Sequence, residues 1–474
     1  MNNKKTYDKT NPLSIEEYAQ GMVGKTFREI SDADKDNDLI VDTKEYETSH
    51  EDKNYKGGLG NIIEERFFHY KSNSESRADF EEAGVELKVT PYKKSRGKMV
   101  AKERLVLSMI DFNTVVNETF ETSHLWEKTK LMLLVYYEYN PEAESKMDYK
   151  IQHVKLFSPP DEDLKIIRED FEKIVSKIRE GRAHELSEGD TLYLGAATKS
   201  SDSSKRRSQP FSEILAKPRA FSFKNSYMTH VLNNYIIPGK NTCESILKQQ
   251  TTYSFEEYVV NRIKEYVGVS VAELCARLDV NPKKQPKNLE ALLAYRMLGI
   301  KSNRAEEFEK ANVVVKAIRI GKNNKIKENM SFPAFKFKEL VEEQWEDSTF
   351  GNYLRETRFL FVVYKEDSNG VMRLVGSQFW NMPVSDIENG VREVWERTKQ
   401  VLIDGLVIEV INGKNHTNLP KISESDICHV RPHAKDTNDT YELPDGRQFA
   451  KQCFWLNNSY ILEQLNDEFK EDNK

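Results

Sequence analysis

"DFEEAGVELKVTP", which runs from Asp79 to Pro91, contains the pattern that decides the fold of this chain. In its VELKV segment the side chains alternate, so Glu86 and Lys88 lie on one face of a strand and three apolar residues lie on the other. Gly84, just before the strand, favours a short turn that folds Asp79 back towards Glu86. The stretch therefore predicts a strand on which two carboxylates and a lysine come together.

This charge cluster has two interpretations. An ordinary surface strand would carry Glu86 and Lys88 as an exposed ion pair. Asp79, however, adds a second carboxylate, and two such groups repel each other unless a divalent cation with oxygen ligands relieves them. A lysine beside them can orient a hydroxide that attacks phosphorus, while the metal offsets charge on the phosphate and the leaving oxygen. We therefore favour metal-assisted phosphodiester hydrolysis without a nucleophilic side chain.

The chain repeats this pattern downstream. "EFEKANVVVKAI", residues 307–318, keeps the rhythm and the lysine but has Val314 in place of Glu86. Further segments of the first half also have counterparts in the second half, and all six pairs occur in the same order. The other pairs are 14–30 with 254–278, 61–73 with 291–303, 124–140 with 353–368, 167–181 with 391–405, and 220–227 with 453–460. Matches in register predict a duplicated domain rather than a chance likeness between helices.

The matched segments also predict secondary structure. One pair begins with Ser14 and Ser254, each followed by acids and helically spaced apolar residues, which predicts a capped amphipathic helix. Another pair ends at Gly181 and Gly405, which is typical of helices closed by a glycine. The apolar and aromatic runs near the middle of each half are typical of buried strands. Together these patterns predict an α/β fold.

Length and composition bound the domain count and the class of protein. A chain of 474 residues is too long for one core. Pro238 and Gly239 interrupt the periodicity within residues 236–252, so we predict two domains, residues 1–240 and 250–474. Hydrophobic content of 38% and charged content of 31% are typical of a globular protein. No apolar run reaches the roughly 18–20 residues of a membrane span, and the polar start is no signal peptide, so we expect a cytoplasmic protein.

The spacing Asp, six residues, Glu, one residue, Lys resembles the signature of the PD-(D/E)xK nuclease superfamily. The surrounding stretch resembles the MutH family, in which Glu64 of "LGNIIEERF" and Lys128 of "ETSHLWEKTK" match further active-site positions. The duplicated layout, with "HELSEG", "AKPRAFSFK", "WEDS" and "ICHVRPH", resembles the Sau-type restriction enzymes, which cut DNA at GATC. This resemblance implies two MutH-like, restriction-endonuclease-like domains, each with a mixed sheet flanked by helices.

The resemblance also implies an activity. The protein would be a type II restriction endonuclease that makes Mg²⁺-dependent double-strand cuts at GATC. Asp79 and Glu86 would ligate the metal, and Glu64 would complete the acidic site. Lys88 would activate the water, and Lys128 would help to hold the scissile phosphate. DNA-induced self-association and a cognate DNA methyltransferase, linked by function and not by physical contact, are also implied.

The second half has lost most of these residues. Only Lys88 keeps its identity, as Lys316. The other positions pair Glu64 with Ala294, Asp79 with Glu307, Glu86 with Val314, and Lys128 with Glu356. We therefore expect residues 250–474 to be catalytically silent but to retain DNA binding, which requires basic and polar groups rather than a metal. The resemblance implies an allosteric effector domain that binds a second copy of the site.

Two basic, serine-rich stretches, residues 91–98 and 199–210, are predicted to contact DNA, although a solvated loop is the alternative for each. Lys199 matches a base-contacting lysine of the MutH family, and donation to guanine is a common specific contact. The predicted DNA-binding residues are Lys199, Arg206 and Arg207 in the first domain and Arg431, His433 and Lys435 in the second. Where MutH has a tyrosine beside the target adenine, this chain has Ser222, which disfavours methylation discrimination of the mismatch-repair kind.

Three alternatives remain open at this point. A MutH-type mismatch-repair endonuclease would nick one strand and depend on a repair partner. A non-catalytic DNA-binding regulator is disfavoured because the cluster in the first half is intact. Residues 34–45, "DKDNDLIVDTKE", nearly match a calcium-binding EF-hand loop, but Leu39 replaces the glycine that its turn requires. We interpret that stretch as an acidic linker.

Overall fold

The structure is a computed structural model that describes residues 7–33, 58–70, 77–95, 97–199, 204–237, 243–248, 251–284, 288–412 and 414–471. The calcium-loop pattern at residues 34–45 lies outside the described residues. The chain forms two compact units. The first comprises residues 1–184, 191–242 and 309–311, and the second comprises residues 185–190, 243–308 and 312–474. In the described ranges, no helix combines the length and apolar character needed to cross a membrane.

The first unit contains a mixed sheet and an antiparallel sheet. In the mixed sheet, β1 (Glu86–Ser95) is parallel to β4 (Met132–Glu138), which is antiparallel to β5 (Lys150–Phe157), and β2 (Lys98–Ala101) pairs with β1 at the edge. The antiparallel sheet has the order β3 (Leu105–Met109), β9 (Arg219–Phe223) and β6 (Leu194–Thr198). A hairpin is formed by β7 (Arg207–Gln209) and β8 (Ser212–Ala216).

Helices flank these sheets. The described α-helices of the first unit are Pro12–Ala19, Phe27–Asp32, Gly58–Ile62, Phe112–Val115, His124–Thr129, Asp161–Arg179 and Asn225–Val231, with π-helical turns at Ile63–Phe67 and Leu232–Ile236. The core lies between the helices and the mixed sheet, where Phe27, Leu133 and Val135 are fully buried. The α/β class with a mixed sheet is confirmed.

The second unit has the same two kinds of sheet. Here β10 (Val313–Ile320) is parallel to β12 (Arg358–Glu366), which is antiparallel to β13 (Met372–Trp380). The antiparallel sheet has the order β11 (Met330–Ser331), β19 (Gln452–Leu456) and β16 (Cys428–Pro432). Two hairpins follow, β14 (Ile408–Ile411) with β15 (Lys414–Thr417), and β17 (Thr440–Glu442) with β18 (Gln448–Ala450).

The second unit also has its own core. Its sheets are flanked by α-helices, with a π-helical turn at Ile387–Val391. The α-helices are Phe255–Lys264, Val271–Arg277, Leu289–Met297, Phe337–Glu342, Thr349–Glu356, Val384–Asp386, Arg392–Asp404, Asn458–Glu463 and Asp467–Lys470. The helix Glu306–Ala311 contributes residues 306–308 to this unit. Phe359, Phe361 and Trp380 are buried at its centre. Each unit thus buries apolar surface of its own.

Corresponding strands of the two units pair in the same way. In the first unit β1 and β4 are parallel, with Lys88 opposite Leu134, and in the second unit β10 and β12 are parallel, with Lys316 opposite Phe361. A strand antiparallel to the central one follows in each unit. The two units therefore share this strand pairing, and the tandem duplication stays a prediction from the sequence.

The predicted helix ends are only partly correct. Ser254 caps Phe255–Lys264 through a capping box with Glu257, as expected. The prediction for Ser14 is wrong, because the first helix begins at Pro12 and the side chain of Asn11 caps it. Proline is pre-organised for the first position of a helix, so Asn11 and Pro12 set an earlier start than the serine pattern indicated. The Ser14 hydroxyl accepts a hydrogen bond from the Asp8 amide instead, at 3.0 Å.

Candidate active site

A tight turn places Asp79 beside the start of β1. Phe80 and Val85 form an antiparallel bridge, with amide-to-carbonyl distances of 2.9 and 3.2 Å. The turn between them closes at Gly84, whose φ of 63° lies in the left-handed region that glycine adopts without steric cost. As a result, Asp79 Oδ2 accepts a hydrogen bond from the Leu87 amide at 2.8 Å. The sequence stretch therefore folds back on itself as its turn residues predict.

Glu86 is a buried carboxylate held by two lysines. It is only 3% exposed, so its charge requires partners. Lys88 Nζ lies 2.8 Å from Glu86 Oε1, and Lys128 Nζ lies 2.8 Å from Glu86 Oε2. Lys128 is itself 7% exposed and also donates to the carbonyl of Arg77. The helix His124–Thr129 thus delivers Lys128 to the same carboxylate that β1 presents.

Glu64 faces this cluster from the π-helical turn Ile63–Phe67, a type of helical irregularity that is frequent at functional sites. Burial, followed by the nearby Asp79 carboxylate, raises the pKa of Glu64 to about 7. Burial, followed by the charge of Glu86, raises the pKa of Asp79 to about 6. The two raised pKa values have a common cause, because several buried carboxylates lie close together and destabilise one another's ionised form. A bound cation would stabilise the ionised carboxylates.

Tyr70 is a residue of this site that the sequence patterns did not indicate. Its ring meets Phe80 edge-on at a centroid distance of 5.5 Å, and its amide donates to the Glu64 carbonyl at 3.1 Å. Within the described residues, its buried hydroxyl has no hydrogen-bond partner. Burial and then the Asp79 charge raise the pKa of this hydroxyl, so it stays protonated. Such a group is a hydrogen-bond donor beside the carboxylates.

The donor set fits a hard divalent cation. Glu64, Asp79 and Glu86 supply carboxylate oxygens, the ligand type that Mg²⁺ takes in proteins. Among the described residues, however, no three histidine, cysteine or acidic side chains already form a metal-binding group. Each oxygen of Glu86 is instead engaged by a lysine. The two lysine ammonium groups thus neutralise the charge of this carboxylate.

The second unit has a different set of contacts at the corresponding positions. Glu307 is 4% exposed, and its carboxylate accepts hydrogen bonds from the Ile246 and Leu247 amides at 2.9 and 3.0 Å. Val314 packs against the core. Lys316 Nζ donates to the Ser331 carbonyl at 3.3 Å, and burial lowers its pKa. The retained lysine therefore has a carbonyl partner where Lys88 has a carboxylate.

In the second half, Ala294 aligns with Glu64 and Glu356 aligns with Lys128. Ala294 is fully buried in the helix Leu289–Met297. Glu356 is the last residue of the helix Thr349–Glu356, and its carbonyl accepts from the Asn312 side chain at 3.4 Å. The acidic centre of the first unit has no equivalent at these positions.

The predicted DNA contacts lie at the surface of their units. In the first unit Lys199, Arg206 and Arg207 are exposed. In the second unit Arg431, His433 and Lys435 are exposed. Arg431 and His433 both lie against the ring of Trp455, at 5.4 and 6.0 Å from its centroid.

Ser222 differs from the surface group. It is fully buried in β9, where its hydroxyl lies 3.5 Å from the Gly195 carbonyl. In this conformation it does not present a side chain to solvent, so it does not replace the tyrosine of the MutH branch as a surface contact.

Comparison with known proteins shows which family this chain resembles. The family model described as "DNA mismatch repair enzyme MutH" matches residues 68–170. The type II restriction enzyme Sau3AI of Staphylococcus aureus is 38% identical over 461 residues, covering 88% of this chain and 93% of that enzyme. The DNA mismatch repair protein MutH of Pectobacterium atrosepticum is 28% identical over 195 residues, covering 40% of this chain and 81% of that protein. MutH of Vibrio vulnificus is 27% identical over 191 residues, covering 38% of this chain and 79% of that protein.

Proposed function

The chain belongs to the Sau3AI family of type II restriction enzymes, and from this premise we propose that it makes Mg²⁺-dependent double-strand cuts in DNA at GATC. It is a site-specific deoxyribonuclease with a MutH-like domain. The observation that carries the proposal is the cluster of Asp79, Glu86 and Lys88 at the turn into β1, which Glu64 and Lys128 complete.

Each residue of the cluster has a proposed role. Asp79 and Glu86 would hold the metal, and Glu64 would complete the acidic site. When bound, Mg²⁺ would stabilise the charge that develops on the phosphate and the leaving oxygen. Lys88 reaches Glu86 from the same face of β1, and its ammonium would orient the attacking water and stabilise the deprotonated form of that water.

Lys128 has a proposed role beside these residues. It would help to hold the scissile phosphate, because its ammonium lies beside Glu86 and, in the described part of the chain, its other hydrogen bond goes to the neutral Arg77 carbonyl. A cation released from a carboxylate in a partly buried site attracts a phosphate strongly.

The second unit is proposed to be a duplicated domain that binds a second GATC site as an allosteric effector. Its Glu307 is occupied by backbone amides and its Val314 carries no charge, so the unit lacks the acidic centre. The exposed Arg431, His433 and Lys435 are suited to phosphate and base contact. Because one catalytic centre cuts one strand at a time, we also propose DNA-induced self-association or sequential nicks. A cognate methyltransferase would protect the host sites.

The experiment is digestion of a plasmid with known GATC sites, with and without Mg²⁺. The parent is compared with Glu86→Gln, which keeps the shape but removes the charge that holds a metal. We expect a loss of at least about a thousandfold in cleavage, because charge stabilisation of this kind contributes several kcal/mol to the transition state. Glu142→Gln is the matched control, since Glu142 is exposed in a turn outside the cluster.

Fragments whose sequenced ends fall at GATC, formed only with Mg²⁺ and lost in Glu86→Gln, would support the proposal. Nicked circles alone would instead indicate a mismatch-repair nickase, the function that the MutH match to residues 68–170 favours as second candidate. Plasmid that is bound but never cut would show that the chain is a binding protein.

A further inference from the structure

The hairpin of β7 and β8 exposes an apolar tip. Phe211 at the turn is 75% exposed, and Ile214 and Leu215 on β8 are 56% and 54% exposed. Single exposed apolar residues are ordinary on protein surfaces, but a group of large ones on one short element marks an interaction site. The tip lies within the first unit and outside the carboxylate cluster.

The turn has an aromatic residue, Phe211, at a position whose backbone conformation glycine would adopt at lower energetic cost. Gln209 pairs with Ser212, so Pro210 and Phe211 form a two-residue loop. Phe211 has a φ of 62°, in the left-handed region that costs an L-residue roughly 1–2 kcal/mol. Glycine or asparagine usually occupies such a position. Phe211 therefore combines backbone strain with an aromatic side chain that is exposed to solvent. Strain of this kind is typical of functional positions.

The hairpin is held rigidly on the segment that follows the helix Asp161–Arg179. Gln209 is 6% exposed, and its Oε1 accepts from the Ala183 amide at 2.7 Å while its Nε2 donates to the Ile214 carbonyl at 2.6 Å. Below the turn, a Cβ on Gly181 would lie 2.6 Å from the Phe211 carbonyl oxygen. Close packing under the loop prevents the tip from retracting, so Phe211 is presented to solvent.

Charge indicates what the tip contacts. The described residues 204–217 contain Lys205, Arg206, Arg207 and Lys217 against one carboxylate, Glu213. Arg207 is the first residue of β7 and Arg206 precedes it, so both lie two or more residues before the turn, and both are exposed. Basic side chains bind phosphates, and apolar side chains beside them can enter a groove and wedge between base steps. The hairpin thus combines an apolar tip with positively charged residues beside it. This combination complements a negatively charged DNA duplex better than an uncharged protein surface.

We propose that Phe211 is a wedge that enters bound duplex DNA and partly unstacks one base step, while Arg206 and Arg207 hold the flanking phosphates. This inference rests on the proposed function, because it requires that the first unit binds DNA. It deepens that function by adding a DNA-distorting contact that is separate from the acidic cluster.

The test is Phe211→Gly in the full chain carrying Glu86→Gln, so that DNA is bound but not cut. Duplexes containing GATC carry 2-aminopurine at successive positions, and its fluorescence rises where a base loses its stacking partner. We expect the parent to raise fluorescence at one step and the variant to lose that rise. The dissociation constant should increase roughly 5- to 160-fold, which corresponds to the range of about 1–3 kcal/mol for one aromatic–base stacking contact.

Thermal unfolding separates this role from a structural one. Glycine relieves the strain at a φ of 62°, so the melting temperature of Phe211→Gly should stay the same or rise while DNA binding falls. Leu13→Ala is the matched control, because Leu13 is a 70% exposed apolar residue of the same unit and should change neither DNA binding nor fluorescence.

Three results would overturn the proposals separately. If the Glu86→Gln parent does not bind GATC duplexes, the proposed function fails. If the parent binds and Phe211→Gly binds equally with the same fluorescence rise, the wedge fails while the function stands. If Phe211→Gly instead abolishes self-association in sedimentation and leaves fluorescence unchanged, the tip is a contact between copies of the chain.

Discussion

Individual side chains explain why the three carboxylates of the acidic centre differ in how well their charge is neutralised. Glu86 is buried, but two lysines neutralise it, whereas Glu64 and Asp79 have no lysine within ion-pair distance among the described contacts. Their charges are therefore the ones that burial and mutual repulsion oppose. The spacing of Asp79, Glu86 and Lys88 predicts the cluster from the sequence. Tyr70 could not be found this way, because no spacing rule links a tyrosine to carboxylates that the fold brings near it.

This imbalance predicts a pH dependence of stability. The pKa values of Glu64 and Asp79, about 7 and about 6, lie above their ordinary values of 4.5 and 3.8. A raised carboxyl pKa means that the folded chain holds its protons more tightly than the unfolded chain, so stability falls as pH rises from about 4 to about 7. Glu64→Gln should therefore melt a few degrees higher than the metal-free parent near pH 8, with a smaller difference near pH 5.

Differential scanning calorimetry with and without Mg²⁺ measures this effect. Mg²⁺ should raise the melting temperature of the parent more near pH 8 than near pH 5.5, since protonated carboxyls do not bind the cation. Glu142→Gln serves as the control. An equal shift for Glu64→Gln at both pH values would show that the Glu64 charge is not opposed in the folded state.

At the scale of elements, the backbone conformation of the turn into β1 determines where the Asp79 carboxylate lies. The bridge between Phe80 and Val85 and the left-handed Gly84 together bring Asp79 to the Leu87 amide. This turn follows from local sequence, since glycine is the residue that adopts that conformation freely. The start of the first helix shows the limit of local patterns, because the serine pattern was outweighed by Asn11 and Pro12.

Gly84→Ala should test the turn. The new Cβ would lie 3.6 Å from Lys130 Cε, which is ordinary contact, so the cost comes from the φ of 63° and amounts to about 1 kcal/mol. Because the turn positions Asp79, we expect cleavage to fall tenfold or more while the melting temperature falls by only about 2–4 °C.

Gly60→Ala is the comparison for that variant. Gly60 lies in the helix Gly58–Ile62, and a Cβ there would meet nothing within 4 Å. Alanine is favoured over glycine in a helix by roughly 0.5–1 kcal/mol, so this variant should be as stable as the parent or more stable. Full activity in purified, folded Gly84→Ala would mean that the turn does not set the position of Asp79.

At the scale of the whole molecule, two units share one strand order but only one has the acidic centre. Parallel pairing of β1 with β4 matches that of β10 with β12, yet Lys88 meets Glu86 whereas Lys316 meets a carbonyl. Each unit has a separate core, so the second can lose catalytic side chains without losing its fold. The lack of an acidic centre at the corresponding positions, together with exposed basic residues, is compatible with the proposed effector role.

The effector role predicts a change in salt dependence. The double variant Arg431→Ala and Lys435→Ala is made in the Glu86→Gln chain and tested on a DNA with two GATC sites. The slope of log K against log salt concentration should become less steep by about two, because about one counterion is released per phosphate contact. Fluorescence anisotropy at several salt concentrations measures the slope. Lys264→Ala, an exposed lysine on the helix Phe255–Lys264, should leave it unchanged. An unaltered slope in the double variant would argue against a phosphate contact at Arg431 and Lys435.

Local sequence alone determined the turn at Gly84 and the alternation that sets Glu86 and Lys88 on one face of β1, because these depend on residues close together in the chain. The repeated order of segments was also readable from the sequence, by comparing one half of the chain with the other. Glu64 and Lys128 were named from the sequence only through the family resemblance, and only the tertiary structure decided their contacts and added Tyr70. Lys128 reaches Glu86 across 42 positions of sequence, and Glu64 meets Asp79 from a separate helical turn. Such contacts depend on how helices pack against a sheet, and burial there, rather than spacing, sets the charge balance of the cluster.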